Sequence, residues 1–591
     1  MYLRTKTSKL SPRKTVQIVE SYINENAQRR QRIVQHLGVA CDDEQLQKLW
    51  EQGEKLIPQL EEQAKQEKLF KEGQLPLFST TEMEYERELS EEETVRIKKL
   101  IKKEDTLEGP FEVWSEVFDK LGMEGLLGLS DRGRGATNTL KLCLTAKLTD
   151  GGSKDRASMW LKESLGIYVS SDRIYRMMDK LAKRTQEVKD LGFQIGKYLC
   201  GNRISMVLFD VTTLYFESFM DDEAVEGSDG SGLRRHGFSK DCKFKETQVV
   251  LALACSPDGI PLWYELFPGN RAECSTLKEM IASVSSKVSP EELVVVADGA
   301  MLTKENRSML EEHDAGYVLG ASIKKLPKGI REEALDVSKF VELEEGRKYR
   351  TLMLENGNTL VVTWSADKAK KDACDRDGQI KKLLKQLNAK GEISGKTAIG
   401  NRGKSKYIEP TSGQDARYRL NEAKIEEEVR YDGLHAVETD RVVQTEEDVR
   451  FMLGAYGNLW HIEDCFRVSK SDLKIRPIYH WTESRIRAHV AICFLALLME
   501  RYLEVQLLNR RSIRLSAQRI KDALLRVNST LIKDTTTDKL YRFPSPIPKD
   551  AREIYKALGL KRGLEPKEIT SMVNYRRRIP NLAGEVDESD G

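Results

Sequence analysis

Long apolar runs, paired cysteines and a surplus of one charge are what this sequence lacks. Its longest apolar stretch, residues 490–499, is about half the roughly 20 residues a membrane-spanning helix requires, so no membrane partner is expected. Nine cysteines are scattered without Cys-x2-Cys spacing, which excludes a disulfide framework and fits a reducing compartment. His461 and Cys465 stand one helical turn apart, half of a zinc site with no second pair nearby. The opening MYLRTKTSKLSPRK has no apolar signal core, so the expected location is the cytoplasm. With 96 Lys and Arg against 94 Asp and Glu, the net charge is only +2. Overall charge therefore does not announce a nucleic-acid partner.

Composition describes a protein with substantial cores, 39% apolar and 32% charged, and 591 residues is enough for several domains. Basic residues cluster at 234–245, 390–406, 510–521 and 576–578, and the tail at 585–590 is acidic. Each cluster taken singly reads as a solvated face.

In chain order, residues 1–40 read as a small β unit: YLRTKT, TVQIVESYI and QRRQRIVQHL are separated by turn residues. Residues 41–108 read as a helical linker region, in which Ser90 and Glu93 form a capping box for a helix to Lys103. Residues 109–200 read as consecutive helices. Within them 154–165 and 172–183 have helix-turn-helix proportions, with Ser171 as N-cap and Arg173 and Arg176 on the second helix. At Ile204 the texture changes to a βββαβαβ pattern running to residue 320. ISMVLFD reads as a strand ending in Asp210, and the wholly apolar LVVVAD as a strand covered on both faces and ending in Asp298. Residues 321–445 interrupt this pattern with an Asn-Gly hairpin and further β runs, the features of an inserted β-rich subdomain. Residues 446–508 resume the core, and 509–591 read as a basic helical region with a disordered acidic tail.

The stretch YGNLWHIEDCFRVSKSDLKIRPIYH, residues 456–480, carries the densest chemistry. Positions seven apart return to one helix face, so Tyr456, Glu463 and Lys470 share a stripe of one expected helix, with Arg467 one turn beyond Glu463. Leu459, Trp460, Ile462 and Phe466 supply an apolar face, and Pro477 ends or redirects the helix. Two readings stay open on this stretch alone. One is a surface Glu463–Arg467 pair worth a few tenths of a kcal/mol. The other is a metal-ligating carboxylate flanked by phosphate-binding cations.

Asp210 and Asp298 at strand ends sit where open α/β sheets place their sites, and Glu463 follows on a helix. Antiparallel strands, then a helix-flanked apolar strand, then a helix is the order of a ribonuclease H-like core. Three converging carboxylates suit Mg2+, which takes hard oxygen ligands, and two ions about 4 Å apart can clamp a phosphodiester. Thr212 and Thr213 read either as donors behind the acids or as plain strand residues. A carboxylate-pair glycosidase fits the acids but not the surrounding Lys and Arg.

These features together resemble the bacterial insertion-sequence transposases of the DDE type. The likeness is to the branch whose acidic helix carries a Tyr-x2-Arg-x3-Glu-x6-Lys signature. Tyr456, Glu463 and Lys470 match it, Leu459 stands at the Arg position, and FDVTT, GFSKD, GIPLWYELFPGN, VVVADGAML and RPIYH add context. The resemblance implies a mixed five-stranded ribonuclease H-like core interrupted by a β-rich insertion. It also implies Asp210, Asp298 and Glu463 as catalytic metal ligands for two Mg2+ ions, with Mn2+ as a substitute. The implied partner is double-stranded DNA, element ends and target, held by a homodimer in a nucleoid-associated paired-end complex. DNA contacts then fall to Tyr456, Arg467, Lys470, Arg476, Lys240, Arg234, Arg235, Arg173 and Arg176. Trp364 is a candidate to stack on an extruded base or, alternatively, a buried anchor. A host-adopted nuclease and an inactive end-binding regulator are the alternative functions.

Overall fold

The computed structural model describes residues 2–8, 11–23, 29–40, 86–88, 94–218, 221–222, 232–239, 242–285, 287, 293–313, 315–385, 393–394, 403–410 and 417–569, with parts of 45–57. Strands β1 (Tyr2–Ser8), β2 (Ser11–Ile23) and β3 (Arg29–Ala40) form an antiparallel sheet in chain order. They bury Val16, Ile18 and Val19.

The helix expected to run to Lys103 does not form. After β4 (Glu86–Glu88), residues Leu100–Leu107 are strand β5, preceded by a single 3-10 turn at Ile97–Lys99. β5 pairs antiparallel with residues 528–534, more than 400 positions away. A partner that distant is invisible to local propensity, and the pairing overrides it.

Helices α1 (Gly109–Lys120), α2 (Asp131–Thr149), α3 (Lys154–Leu165), α4 (Ser171–Ala182) and α5 (Thr185–Leu199) follow. Ser130, Ser153 and Ser170 cap α2, α3 and α4 by accepting from backbone N–H groups three residues on. The cap of α4 is thus Ser170 rather than Ser171.

The central sheet begins with β6 (Met206–Tyr215), β7 (Gln248–Cys255) and β8 (Pro261–Pro268), an antiparallel meander. Helix α6 (Leu277–Ser285) leads to β9 (Val294–Ala297), and α7 (Lys304–Glu312) to β10 (Gly316–Ala321). β9 lies parallel to both β6 and β10. These five strands stand in the order β8-β7-β6-β9-β10, or 3-2-1-4-5 by their sequence. β6 does not stop at Asp210 but runs five residues further, through Val-Thr-Thr-Leu-Tyr.

The segment expected as an inserted β-rich subdomain extends this sheet. After α8 (Lys328–Leu335) come β11 (Val341–Glu344), β12 (Arg347–Met353) and β13 (Thr359–Ser365). The β12–β13 turn uses Gly357 at φ 84, a left-handed position that favours glycine. Helix α9 (Ala366–Leu384) and the short strands β14 (Ile393–Ser394), β15 (Ile408–Pro410) and β16 (Arg417–Leu420) follow, the three strands forming their own small sheet. Helix α10 (Glu422–Val429) then leads to β17 (Leu434–Thr439), which pairs with both β10 and β13. The result is one nine-stranded mixed sheet ordered β11-β12-β13-β17-β10-β9-β6-β7-β8.

Helices α11 (Glu446–Gly457), α12 (Leu459–Ser471) and α13 (Glu483–Arg511) return to this sheet. The final region is not wholly helical: α14 (Ala517–Leu524), β18 (Asn528–Asp534), β19 (Leu540–Pro544), α15 (Lys549–Leu558) and β20 (Lys567–Ile569) alternate. β18–β20 join β4 and β5 in a five-stranded sheet. The expected disordered tail lies outside the described residues. Among the described residues no helix is long and apolar enough to cross a membrane.

Strand alternation sorts the sheet into two faces. Leu208, Val296, Val318 and Val437 belong to the large core shared with α11, α12 and α13. Phe209, Val295, Ala297 and Leu319 belong to a second core, shared with α6 and α7.

Candidate active site

β6 is buried along its length except at Asp210 and Tyr215. Phe209 and Ala297 are the last register partners between β6 and β9. Asp210 and Asp298 are each the next residue, on neighbouring strands about 4.8 Å apart. Alternation puts both on the face of Leu208 and Val296, the face that the α11–α13 helices cover. The acid pair therefore stands at the C-terminal edge of the parallel strands, although β6 itself continues.

Asp298 is exposed and Asp210 half-buried. Each carboxylate accepts from the backbone N–H that follows it: Val211 N at 2.7 Å for Asp210 and Gly299 N at 2.6 Å for Asp298. Thr212 and Thr213 are both buried. By alternation Thr212 shares the acid face and Thr213 does not. The Thr213 hydroxyl is buried with no partner.

The single helix expected from Tyr456 to Lys470 is two helices, broken at Asn458 (φ −68, ψ −10). Gly454 and Gly457 weaken the end of α11, and His461 N bonds Asn458 O at 2.9 Å to restart the chain as α12. Nor does α12 extend to Pro477; it stops at Ser471. Its buried face is Ile462, Cys465, Phe466, Val468 and Ser469. Trp460, expected in that face, is 56% exposed and lies against His461. Leu459, at the signature's Arg position, packs against the main core.

Glu463 is exposed on α12, two residues before Cys465, whose sulfur touches Cys255 on β7. That packing holds α12 over the acid face. Tyr456 reaches one of the acids. Its hydroxyl donates to Asp298 Oδ1 at 3.4 Å. Burial, the Asp298 charge and hydrogen bond, and the Glu463 charge push its pKa up to about 12, so it stays a neutral donor.

Arg467 does not pair with Glu463. It binds Asp464 at 2.8 Å and Asp472 at 3.6 Å, and Arg501 bonds the other Asp464 oxygen at 2.5 Å. Burial works against the Asp464 charge, but hydrogen bonds from Arg501 and Arg467 outweigh it and hold the carboxyl below its usual range. Lys470 is half-buried in the last turn of α12, two turns from Glu463.

The remaining candidate residues gather elsewhere. Arg234 pairs with Asp222 at 2.6 Å and lies over the Phe216 and Trp481 rings. Arg476 lies over Tyr215, and Arg235 pairs through its backbone with Gln248. This group surrounds the far end of β6, five residues and roughly 17 Å beyond Asp210. Lys240 lies outside the described residues. Arg173 and Arg176 are on α4, whose inner face of Ile174, Met177, Met178 and Leu181 is buried. Trp364 is partly buried and packs against the side core of Phe340, Leu360 and Val362.

For a metal the donor chemistry fits, since Asp210 and Asp298 are hard-oxygen ligands side by side at an open edge. Among the described residues, however, no three His, Cys, Asp or Glu side chains close into a group that could hold an ion. His461 and Cys465 do not form a zinc site either: Cys465 is buried against Cys255 and Gly259 O.

Two residues at the site escaped sequence reasoning. A β-carbon built on Gly320 would lie 2.6 Å from the Tyr456 hydroxyl oxygen, so this strand position is left open for the tyrosine. His435 on β17 lies against Tyr456, ring centroids 5.0 Å apart and planes tilted by 46°. Neither carries a local signal, because both depend on β10 and β17 being neighbours.

No curated protein matches the chain. A solved piggyBac transposase synaptic complex with hairpin DNA aligns over 70% of this chain and 77% of its own, at 8% identity. Its TM-score is 0.34, a likeness that carries no weight for function. Residues 228–499, which include Asp298 and Glu463 and begin after Asp210, match the family model of the transposase DDE domain.

Proposed function

We propose that this chain is an insertion-sequence transposase that binds the terminal inverted repeats of its element and cuts and joins DNA strands there. The reading takes the 3-2-1-4-5 strand order as a ribonuclease H-like core and Asp210, Asp298 and Glu463 as its catalytic carboxylates. The observation that carries it is the register: Asp210 and Asp298 follow the last paired residues of two parallel strands, on the face that the Glu463 helix covers.

Asp210 and Asp298 would hold Mg2+, or Mn2+ in its place, with Glu463 closing the group from α12; a second ion is part of the reading. The metal supplies Lewis-acid stabilisation of phosphodiester oxygens. The protein's own part is positional. The Val211 and Gly299 N–H groups hold Asp210 and Asp298, the Tyr456 hydroxyl reaches Asp298, and the buried face of α12 packs against β6 and β7 and leaves Glu463 on its exposed side. Lys470, two turns along the same helix, would meet a DNA phosphate. Double-stranded DNA is the partner, held by a homodimer at paired ends in the bacterial nucleoid.

The test is a nicking and strand-transfer assay on labelled end DNA with Asp210→Asn, Asp298→Asn and Glu463→Gln. Each amide removes charge with little change of shape, so the variants should fold and bind DNA yet lose both reactions. Near-normal nicking by Glu463→Gln would remove that helix from the site. Nicking without strand transfer in the wild type would favour a nuclease of the same fold.

A further inference from the structure

We infer that His435 is a positioning residue for Asp298, acting through Tyr456. Three adjacent strands build the arrangement. Leu319 is the register partner of Ala297, so Gly320 on β10 stands beside Asp298, the residue that follows β9. Gly320 is in turn opposite Val437 on β17, and His435 lies two residues from Val437, on the same face. Tyr456 comes down from α11 across this row at Gly320, a strand position that has no side chain. A β-carbon at 320 would meet the tyrosine hydroxyl at 2.6 Å and Gly299 N at 2.9 Å. The ring is thus bounded by His435 on one side, at 5.0 Å and 46°, while the hydroxyl reaches Asp298 Oδ1 on the other.

Without His435 the tyrosine ring has open space on that side and can swing off the carboxylate. Burial first, and Lys368 on α9 second, hold the imidazole below its ordinary pKa, with Asp298 pulling the other way. The ring therefore meets Tyr456 uncharged. A hydrogen bond to a ligating carboxylate fixes its orientation, and losing such a partner weakens metal binding.

The inference rests on Asp298 being a metal ligand, as proposed above. It is tested by titrating the full chain with Mn2+, without DNA, and reading bound metal by electron paramagnetic resonance. Tyr456→Phe keeps the ring and loses only the hydroxyl; it should bind Mn2+ about tenfold more weakly. His435→Ala should do the same, and His435→Phe, which restores a ring at that position, should recover affinity to within about threefold of wild type. Wild-type affinity in Tyr456→Phe or His435→Ala, with Asp298→Asn defective, would overturn this inference alone. So would a His435→Phe protein as weak as His435→Ala. Wild-type affinity in Asp298→Asn would overturn the acid-site reading and this inference with it.

Discussion

Cys255 Sγ lies 3.8 Å from Cys465 Sγ, sulfur against sulfur beneath the helix that carries Glu463. Cys465 also contacts Gly259 O at 3.1 Å, and both cysteines are fully buried. A contact this close between α12 and the β7–β8 hairpin fixes the height of that helix, and so of Glu463, above the sheet. Cys465→Leu should therefore cost about 1–3 kcal/mol by overpacking and reduce nicking beyond that loss. Cys465→Ala should cost about 1 kcal/mol for the lost sulfur contacts and leave nicking closer to wild type. Urea midpoints and nicking rates, measured on both variants, check the pair. Equal nicking by the two would show that the helix height does not matter.

Lys470 and Arg467 are separable by mutation: Lys470 is the cation that the proposed function sets on a DNA phosphate, and Arg467 is paired with Asp464 and Asp472. Lys470→Ala should lower the slope of log affinity against log salt by about one and slow cleavage with the fold retained. Arg467→Ala should leave the slope near wild type and change stability by no more than about 1 kcal/mol. Binding isotherms on end DNA at several salt concentrations decide. An unchanged slope for Lys470→Ala would assign that residue to the helix alone.

Arg173 and Arg176 divide in a similar way. Arg173 is half-buried and its Nε donates to Thr139 Oγ1 at 3.1 Å, tying α4 to α2. Arg176 is exposed on a face it shares with Asp172, Asp179 and Lys180. If α4 reads the element's ends, Arg176→Glu should weaken end binding while the melting curve is unchanged. Arg173→Glu should lose about 1 kcal/mol of stability with its hydrogen bond. End binding by Arg176→Glu equal to wild type would take α4 out of recognition.

What the sequence made legible was set by the range of the interactions. β6–β10 and their helices could be read in order because each strand pairs with near neighbours and each helix carries its own cap or apolar stripe. The positions of Asp210 within β6 and of Asp298 just after β9 followed from that order. The break at Asn458 was harder to see, because heptad spacing carries the eye from Tyr456 to Lys470 through two glycines. β5 was misread as helix because its partner, β18, is more than 400 residues distant. The extension of the sheet by β11, β12, β13 and β17 was hidden in the same way. It depends on β17 docking on β10, and from that docking follow His435 and the need for glycine at 320. Arg467 turned toward Asp464 because Arg501, from another helix, organises that carboxylate.

Glu108 is a buried junction for the late strands. Its side chain has no exposure and receives Arg562 at 2.7 Å and Arg542 at 2.9 Å, with the Ser529 hydroxyl donating at 2.6 Å. Removing one partner of such a group leaves buried charge uncompensated, at a cost of about 3–5 kcal/mol. Glu108→Gln should therefore lower the unfolding midpoint strongly and increase exchange of the β5 and β18 amides. Wild-type protection of those amides in the variant would show that the sheet does not depend on this junction.

Glu500 should set a pH slope on stability. It is 4% exposed on α13. Burial first and the Glu504 charge second raise its pKa from 4.5 to about 8, with Arg501 opposing. In the folded chain the carboxyl keeps its proton up to about pH 8, whereas in the unfolded chain it ionises near 4.5. Between those values the folded state binds the extra proton, so stability falls as pH rises through the window. The loss is at most about 1.4 kcal/mol per pH unit. Below 4.5 both states are protonated and above about 8 both are ionised, so Glu500 contributes no slope outside the window. Glu500→Gln is neutral at every pH and nearly isosteric. Its stability relative to wild type should therefore be similar at pH 4.5 and exceed it by several kcal/mol at pH 8. Urea unfolding of both proteins at pH 5, 6.5 and 8 measures the gap, and a gap that stays constant across the three would mean that Glu500 is ionised in the fold.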